Sequence, residues 1–319
     1  MGLFLTENEV KQLLTMPIAL EAVAQVMAEF ARGEAINIPR QRVRAVHTTQ
    51  HILQGYVPSH QAIGYKVYTV SKGVVRFLVH VYDAADGHLN GILEARHLGV
   101  MRTGAASGVA TQHLARTDAK VMGVFGSGRQ AVGQIEAVCR VRPITEVKVF
   151  SRNKDKLAAF CSAMSASLGI TVRAAASAEE AVRDSDIITT ITSAETPLFD
   201  GAWLKPGVHI NAAGSNMLTR RELDEATLDR CDLIVVDSRA VAEKECGDLL
   251  PLLEKGKLGW GQIGELGDVI IGRFPSRTSP QQITCFESHG MAVQDMIVAA
   301  KLLALAREMR LGIELPLGI

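Results

Sequence analysis

The apolar residues near the start of the chain recur at helical spacing. Between residues 7 and 33 they fall three or four positions apart, which predicts one or two amphipathic helices. Beyond Arg40 the pattern changes, because short β-rich runs alternate with turn residues such as Pro58 and Gly87. Short strands joined by tight turns predict an antiparallel sheet. The expected strands span residues 51–57, 63–70, 75–82 and 91–93.

Residues 95–114 form a second helical pattern, which is dense in small side chains. The stretch TGAASGVAT, starting at Thr103, contains few bulky residues. Small side chains allow a neighbouring backbone to approach closely. We therefore expect this helix to be buried between layers.

From residue 119 to about residue 286, apolar runs alternate with helical stretches. This alternation predicts a parallel, doubly wound sheet. A long helix rich in Ala, Leu, Met and Val follows at residues 291–309, and it is most simply buried by packing back onto the first part of the chain. The expected parallel strands span residues 121–125, 147–150, 187–191, 208–212 and 233–236.

These patterns predict an α/β protein with two domains, which suits a chain of 319 residues. One is a Rossmann domain with a doubly wound parallel sheet, expected at residues 118–290. The other is a smaller α+β domain made of residues 1–117 and completed by the C-terminal helix within residues 291–319.

Composition narrows the possible functions. Lys plus Arg and Asp plus Glu both number 34, and this zero net charge argues against a nucleic-acid partner. The five cysteines are scattered, without metal-ligand spacing, as is typical of a reducing compartment. The first ten residues do not resemble a signal peptide, and no run approaches the ~18 apolar residues of a membrane span. We therefore expect a soluble, cytoplasmic protein with no membrane partner and no metal site.

A glycine-rich loop follows the strand predicted at residues 121–125. Its pattern is GxGxxA, from Gly126 through Gly128 to Ala131, and a helix and a further strand come next. Gly126 allows a tight turn, Gly128 lets the backbone approach a pyrophosphate, and the helix N-terminus supplies free N–H groups. The full strand–loop–helix context predicts a dinucleotide site. The expected binding residues of the loop are Gly126, Ser127, Gly128, Arg129 and Gln130.

The end of the next strand bears on the choice of cofactor. An NAD site usually has an acid there for the ribose 2′-hydroxyl, whereas arginine suits a 2′-phosphate. This chain has Ser151, Arg152 and Asn153, and no acid before Asp155. All three side chains can donate hydrogen bonds to a phosphate. NADP(H) is therefore favoured over NAD(H). The alternative is that Arg152 is only a solvent-exposed residue of a loop.

Further polar residues are expected at the same crevice. Ligands of doubly wound sheets bind beyond the carboxyl ends of the strands. Thr192 and Ser193 follow one predicted strand, and Ser215 follows another. Together with Thr103, these residues complete the predicted cofactor site.

Several short motifs are spread along nearly the whole chain. They are Ile38-Pro39-Arg40, Gly64-Tyr65-Lys66-Val67, and the stretches at residues 101–107, 126–128, 207–215, 221–224, 265–267 and 286–295. Together they resemble the ornithine cyclodeaminase/mu-crystallin family. The resemblance implies an N-terminal substrate and dimerisation domain, a Rossmann domain, a returning C-terminal helix and a homodimer. It also implies action on an α-amino acid or its imine with a nicotinamide cofactor.

The resemblance assigns catalytic roles to three residues. Arg40 and Arg102 match the arginines that hold the substrate carboxylate, and two guanidinium groups can clamp such a group. Lys66 matches a lysine beside the reacting carbon, where it can move a proton. Each of these residues could instead have a purely structural role. Arg40, for example, could be a surface charge, as could Arg42 and Arg44 nearby.

Asn216 departs from part of the family. In the cyclodeaminases and archaeal-type alanine dehydrogenases, the resemblance implies an aspartate after the turn that matches residues 211–215. Asparagine has no titratable proton near neutral pH. Loss of a general base there would slow the reaction by on the order of 10²–10⁴. Strict ornithine cyclodeamination is therefore not expected.

Three functions remain open. The first is NAD(P)(H)-dependent reduction of a small imino or keto acid, such as a cyclic ketimine, to an L-amino acid. The second is ornithine cyclodeamination or amino-acid dehydrogenation despite Asn216. The third is a non-catalytic, crystallin-like protein that binds NADP(H). For the first two functions, the partner is a small amino-acid or imino-acid substrate. The residues expected to select the side chain of this substrate are Leu53, Tyr56, Tyr68 and Met217.

Overall fold

The computed structural model describes residues 2–316, which divide into two compact units. The first unit runs to Arg102 and resumes at Gly290, and the second comprises Thr103–His289. The first boundary between the two units lies inside a helix, between Arg102 and Thr103, so that this helix contributes residues to both units. The sequence-based domain limits, residues 1–117 plus 291–319 and residues 118–290, stay a prediction.

The elements of the described residues are numbered in chain order. The strands are β1 (Leu3–Leu5), β2 (Ile36–Arg44), β3 (Thr48–Val57), β4 (Ala62–Ser71), β5 (Val74–Asp83), β6 (Leu89–Glu94), β7 (Val121–Phe125), β8 (Glu146–Phe150), β9 (Thr171–Ala174), β10 (Ile187–Thr190), β11 (His209–Ala212), β12 (Leu233–Val236), β13 (Gly264–Glu265), β14 (Thr284–Glu287) and β15 (Ile313–Glu314). The helices are α1 (Glu7–Leu13), α2 (Met16–Ala31), α3 (Arg96–Leu114), α4 (Arg129–Val141), α5 (Leu157–Leu168), α6 (Ala178–Val182), α7 (Glu225–Asp229), α8 (Arg239–Glu245), α9 (Leu250–Glu254), α10 (Leu266–Ile270) and α11 (Ala292–Met309).

The first unit is built on a sheet ordered β15-β1-β6-β5-β4-β3-β2. The pairs from β2 to β6 are antiparallel, as the sequence predicts for β3 to β6, whereas β2 was not among the expected strands. Strand β1 pairs parallel with β6 and antiparallel with β15. Sequence analysis missed β1 and β15, because strands of two or three residues are too short to show a period.

Helix α11 covers one face of this sheet, and burial alternates along the strands accordingly. Leu53 and Val79 point toward the covered face and are almost fully buried. On the opposite face, Ile36, Ile38 and Ile63 are 55%, 40% and 47% exposed. The period of two places Lys66 on the covered face, directly opposite Leu53 and Val79 in the neighbouring strands.

The second unit has a parallel sheet ordered β13-β12-β14-β11-β10-β7-β8-β9. Every neighbouring pair of strands is parallel, and the strand order reverses between β7 and β10. Doubly wound sheets bind ligands at such a switch point, beyond the carboxyl ends of the strands. The predicted α/β class, with a Rossmann sheet and a smaller α+β part that includes the C-terminal helix, is confirmed.

Helix α3 shows why its small residues matter. A Cβ atom added to Gly104 would lie 2.1 Å from the carbonyl oxygen of Gly133 in α4, so the two backbones are nearly in contact. Seven of its residues from Gly104 to Ala110 are buried without interruption. The expected burial of this helix is confirmed. Within residues 2–316 no single helix has both the length and the apolarity needed to cross a membrane, although the bent pair α1–α2 meets these criteria by length and composition.

Candidate active site

Lys66 lies in the middle of β4 and points beneath α11. It is only 3% exposed, and its Nζ donates a hydrogen bond of 2.6 Å to Oδ1 of Asp295 in the first turn of α11. A buried ammonium is costly unless it is paired. The structure therefore gives Lys66 a specific buried partner, which a solvated surface lysine would not have.

Arg102 reaches the same carboxylate from α3. Its Nε lies 3.1 Å from Oδ1 of Asp295, and its Nη1 donates to Oε1 of Gln294 at 3.1 Å. Gly290, just before α11, has a φ of +85°, and a Cβ atom there would lie 2.8 Å from Nη1 of Arg102. The start of α11 is thus shaped around this guanidinium group.

The surroundings of Lys66 favour proton exchange. Burial lowers the pKa of Lys66 to about 8, the Asp295 carboxylate opposes this change, and the positive charges of Arg102 and Arg40 add to it. The Nζ atom also lies 5.3 Å from the centre of the Phe77 ring. An amine with a pKa near neutrality can act as a general acid or base.

Aromatic rings extend the wall beside Lys66. Phe77 and Tyr68 have ring centres 5.2 Å apart, and the His51 ring stacks on Tyr68 at 4.2 Å. Burial and, to a smaller extent, the positive charges of Arg40 and two further arginines of β2 together lower the pKa of His51 to about 4. At neutral pH this wall therefore carries no charge and suits an apolar ring or chain.

A separate cleft of about 400 Å³ opens at the ends of β7, β8 and β10 in the second unit. Its glycines and polar residues were predicted from the sequence, and its apolar residues were not. The predicted residues that line the cleft are Gly126, Gly128, Ser151, Arg152, Asn153, Thr192 and Ser193. The apolar residues are Phe125, Phe150, Ile191, Ala194 and Leu198.

The loop before α4 fits a dinucleotide. Gly126 has a φ of +111°, and a Cβ atom there would lie 2.6 Å from the Ile191 carbonyl oxygen. Helix α4 begins at Arg129, and no side chain caps its first turn. The positive end of its dipole favours an anion at this point. Ser127 and Gln130 belong to the same loop and first turn. These residues can therefore hold a pyrophosphate.

Glu222 organises the loops next to this cleft. Its buried carboxylate accepts hydrogen bonds from Thr190 Oγ1 at 2.9 Å, Thr192 N at 2.7 Å, Thr192 Oγ1 at 2.6 Å and Gly214 N at 2.8 Å. These bonds connect the segments that follow β10 and β11. Burial raises the pKa of Glu222 to about 7, although the two threonines lower it. The motif at residues 221–224 was the only sequence signal for this role.

The remaining predicted cofactor residues lie outside the lining of the cleft. The Thr103 carbonyl accepts a hydrogen bond of 3.2 Å from the Gln134 side chain. Ser215 is buried, and its Oγ lies 3.4 Å from the Met217 carbonyl oxygen. Their proposed contacts with a nucleotide stay predictions.

The predicted substrate residues fall into three groups. Lys66, Arg102 and Arg40 lie in the first unit, where Asp295 joins the first two and Arg40 acts on the charge of Lys66. Asn216 is half-buried in the second unit, directly after Ser215, and Met217 follows it. Leu53 and Tyr68 share the sheet face of Lys66.

Tyr56 does not belong with these residues. It pairs with Ile63 and lies on the opposite face of the sheet from Lys66. The prediction that Tyr56 selects the substrate side chain is therefore wrong within the first unit. Leu53 and Tyr56 are three positions apart along β3, so their side chains lie on opposite faces of the sheet. They therefore cannot line the same pocket.

Asp295 and Gln294 were missed as site residues. Both lie in the motif at residues 286–295, but no local pattern relates them to Lys66 or Arg102. The three charged residues come from β4, α3 and α11, so only the fold brings them together. The order Gln-Asp at the start of a long helix was the available signal.

Known proteins resemble this chain along its length. A family model described as the ornithine cyclodeaminase/mu-crystallin family matches residues 2–308. A Delta(1)-pyrroline-2-carboxylate reductase of Bacillus cereus is 35% identical over 320 residues, covering 97% of this chain and 98% of the relative. Ketimine reductase mu-crystallin of Macropus fuliginosus is 31% identical, covering 94% of this chain and 95% of the relative.

A solved structure agrees with these sequence relatives. Delta(1)-pyrroline-2-carboxylate reductase of Thermococcus litoralis, in complex with NADH and L-proline, matches with a TM-score of 0.94 and 32% identity. The match covers 98% of this chain and 100% of that chain. The predicted oxidoreductase class is confirmed. The chain belongs to the ornithine cyclodeaminase/mu-crystallin family.

Proposed function

We propose that this chain reduces a small cyclic imino acid, of the pyrroline-2-carboxylate class, to the corresponding L-amino acid with NAD(P)H. The observation that carries the proposal is the buried Lys66, with a pKa near neutrality, held beside Arg102 by Asp295. The relatives named as pyrroline-2-carboxylate and ketimine reductases support this substrate class. Asn216 supports reduction of a preformed imine over cyclodeamination, because it offers no general base.

The first unit supplies the groups for substrate binding. Arg102, oriented by Asp295 and Gln294, and Arg40 hold the substrate carboxylate by charge-assisted hydrogen bonds. Phe77 and Tyr68 pack against the apolar ring of the imine. Fixing the carboxylate in this way orients the carbon of the C=N bond.

Lys66 donates the proton. Reduction of a C=N bond adds a hydride to carbon and a proton to nitrogen, and the bound nucleotide supplies the hydride. Below a pH of about 8 the Lys66 Nζ carries a proton that it can give to the imine nitrogen. Activity should therefore decline as the pH rises through this value, because the proton donor is lost.

The second unit supplies the nucleotide site. The loop from Gly126 to Gly128 and the first amides of α4 hold the pyrophosphate. Ser151, Arg152 and Asn153 line the same cleft, where they offer donors to a 2′-phosphate. We therefore propose a preference for NADP(H) over NAD(H).

The exposed face of the first sheet suggests a homodimer. Ile36, Ile38 and Ile63 are exposed there, next to Tyr56 and Tyr65, around a groove of about 410 Å³. A contiguous apolar patch of this kind is typical of a protein interface. Sedimentation of Ile63→Glu should show a monomer at concentrations where the native chain is a dimer. A native monomer would refute this part.

A turnover screen tests the function. Oxidation of NADPH and NADH is followed with pyrroline-2-carboxylate, piperideine-2-carboxylate and open-chain imines of pyruvate, and ornithine is tested separately for ammonia release. We expect cyclic imines with NADPH to give the highest kcat/KM and Lys66→Met to lower it by about 10²–10⁴. Ammonia release from ornithine would favour a cyclodeaminase. Tight nucleotide binding without turnover of any compound would favour a non-catalytic binding protein.

A further inference from the structure

Asp295 has an unusual environment for a carboxylate. It is fully buried, and its Oδ1 accepts hydrogen bonds from both the Lys66 ammonium and the Arg102 guanidinium. Its other oxygen, Oδ2, is buried as well and has no hydrogen-bond donor among residues 2–316. A buried carboxylate oxygen without a donor is costly, so this arrangement needs a reason beyond local packing.

We propose that Asp295 is a positioning residue for the imine reduction, acting through Lys66 and Arg102 rather than on the substrate. One oxygen fixes both cations, and so the proton donor and the carboxylate-binding group keep a constant separation. This inference rests on the proposed function for its kinetic consequence. Its structural consequence for Lys66 can be measured without turnover.

Geometry supports the proposal first. Lys66 extends from β4 and Arg102 from α3, and both side chains are long and flexible. Two like charges would separate if no anion lay between them. Asp295, on the short and stiff side chain of a third element, holds them together at 2.6 and 3.1 Å. Gln294 fixes the other end of the same guanidinium, so α11 determines its orientation.

The charges around Lys66 are the second support for the proposed role of Asp295. The charged groups that act on Lys66 are Asp295 from α11, Arg102 from α3 and Arg40 from β2. Asp295 is the one anion among them, and it favours the protonated amine. Without its charge, burial and two arginines would act unopposed. The Lys66 proton would then be lost at a lower pH.

The competing explanation is that Asp295 only neutralises buried charge so that the chain can fold. Asp295→Asn would then lower stability and displace the Lys66 midpoint through loss of charge alone, whereas Asp295→Glu, which keeps the charge, would have the native kcat/KM. Asp295→Glu keeps the charge but lengthens the side chain by one methylene. Comparing the two variants separates loss of charge from loss of position.

The test measures the Lys66 amine directly. Lysine labelled with ¹³C at Cε is incorporated, the Lys66 signal is assigned with Lys66→Arg, and its shift is titrated in native protein, Asp295→Asn and Asp295→Glu. We expect the midpoint to move from about 8 to about 7 or lower in Asp295→Asn, since an opposite charge at this range changes a pKa by about one to three pH units. In Asp295→Glu it should stay near the native value.

Kinetics provide the second readout. For Asp295→Asn we expect kcat/KM for the cyclic imine to fall about 100-fold, with the alkaline limb of its pH profile displaced to lower pH. For Asp295→Glu we expect a smaller fall with an undisplaced limb. Glu21→Gln is the matched control. It removes an exposed ion pair between Glu21 of α2 and Lys301 of α11, the helix that carries Asp295, and it should change neither readout.

The outcomes are distinguishable. An unchanged Lys66 midpoint in folded Asp295→Asn overturns the inference. If that variant does not fold, a native kcat/KM in folded Asp295→Glu overturns it, because the charge alone would then be enough. If native protein turns over no imine while the midpoint moves as expected, the proposed function fails and the positioning of Lys66 by Asp295 stands.

Discussion

The two units use opposite means to bind charge. In the second unit, the predicted anion site is formed by backbone, in the loop from Gly126 to Gly128 and at the start of α4. In the first unit, the charged groups are side chains: Lys66, Arg102 and Asp295 meet at one carboxylate oxygen. A backbone site needs the right local conformation, whereas a side-chain site needs partners that neutralise one another when buried. The two sites should therefore fail in different ways.

Replacing Lys66 gives the largest expected effect. Lys66→Met should lower kcat/KM for a cyclic imine by about 10²–10⁴, because the proton donor is lost. The dissociation constant for NADPH, measured by fluorescence titration, should stay within about twofold, because the nucleotide cleft belongs to the second unit. Turnover within about threefold of native would show that Lys66 is not the proton donor.

Replacing Gly126 should affect the other site alone. Gly126→Ala should raise the dissociation constant for NADPH about 100-fold, since its Cβ would collide with the Ile191 carbonyl and displace the loop. Gly169→Ala is the matched control, because Gly169 also has a positive φ but has no neighbour within 4 Å of the added atom. Both variants should lose about 1 kcal/mol of stability. Equal nucleotide affinity in the two would refute the role of the loop.

Much of the second unit could be predicted because its signals are local. The strand before Gly126, the loop and α4 are consecutive in the sequence, and their order alone predicts a dinucleotide site. The cluster around Lys66 has no such signal. Residues 66, 102 and 295 meet only after the sheet and α11 have formed, so the family resemblance named two of them and nothing named Asp295.

Short strands and side-chain direction were harder to predict. Strand β14 lies between β11 and β12 although it follows them by many residues, and topology rather than sequence pattern sets this position. Tyr56 was predicted to select the substrate side chain although it lies on the face opposite Lys66, because a tyrosine in a β-rich stretch does not show which face is covered. That depends on where α11 packs.

Glu222 gives a stability effect specific to the second unit. Its pKa in the folded chain, about 7, lies above its ordinary value of 4.5. Folding is therefore favoured most below pH 4.5, and this advantage is lost as the pH rises through 7. Relative to Glu222→Gln, the native chain should lose on the order of 2 kcal/mol of unfolding free energy between pH 5 and pH 8. Urea unfolding at several pH values measures this difference, and parallel pH curves would contradict it.

Arg152 gives the smallest expected effect and refines the choice of cofactor. Arg152→Ala should raise the dissociation constant for NADPH about tenfold and leave that for NADH unchanged, because one charge-assisted contact to the 2′-phosphate is lost. Lys156→Ala, an exposed cation outside the lining of the cleft, is the control. Equal changes in the dissociation constants for both nucleotides would mean that Arg152 does not bind the 2′-phosphate.

The most direct test of the proposed chemistry follows the transferred hydrogen. Pyrroline-2-carboxylate is incubated with the native protein and with NADPH that carries deuterium at the transferable position of its nicotinamide. Mass spectrometry and NMR of the product should show L-proline with one deuterium at Cα, and Lys66→Met should form it at least about 100-fold more slowly. Absence of labelled proline with the native protein, under conditions where NADPH is bound, would contradict the proposed reaction.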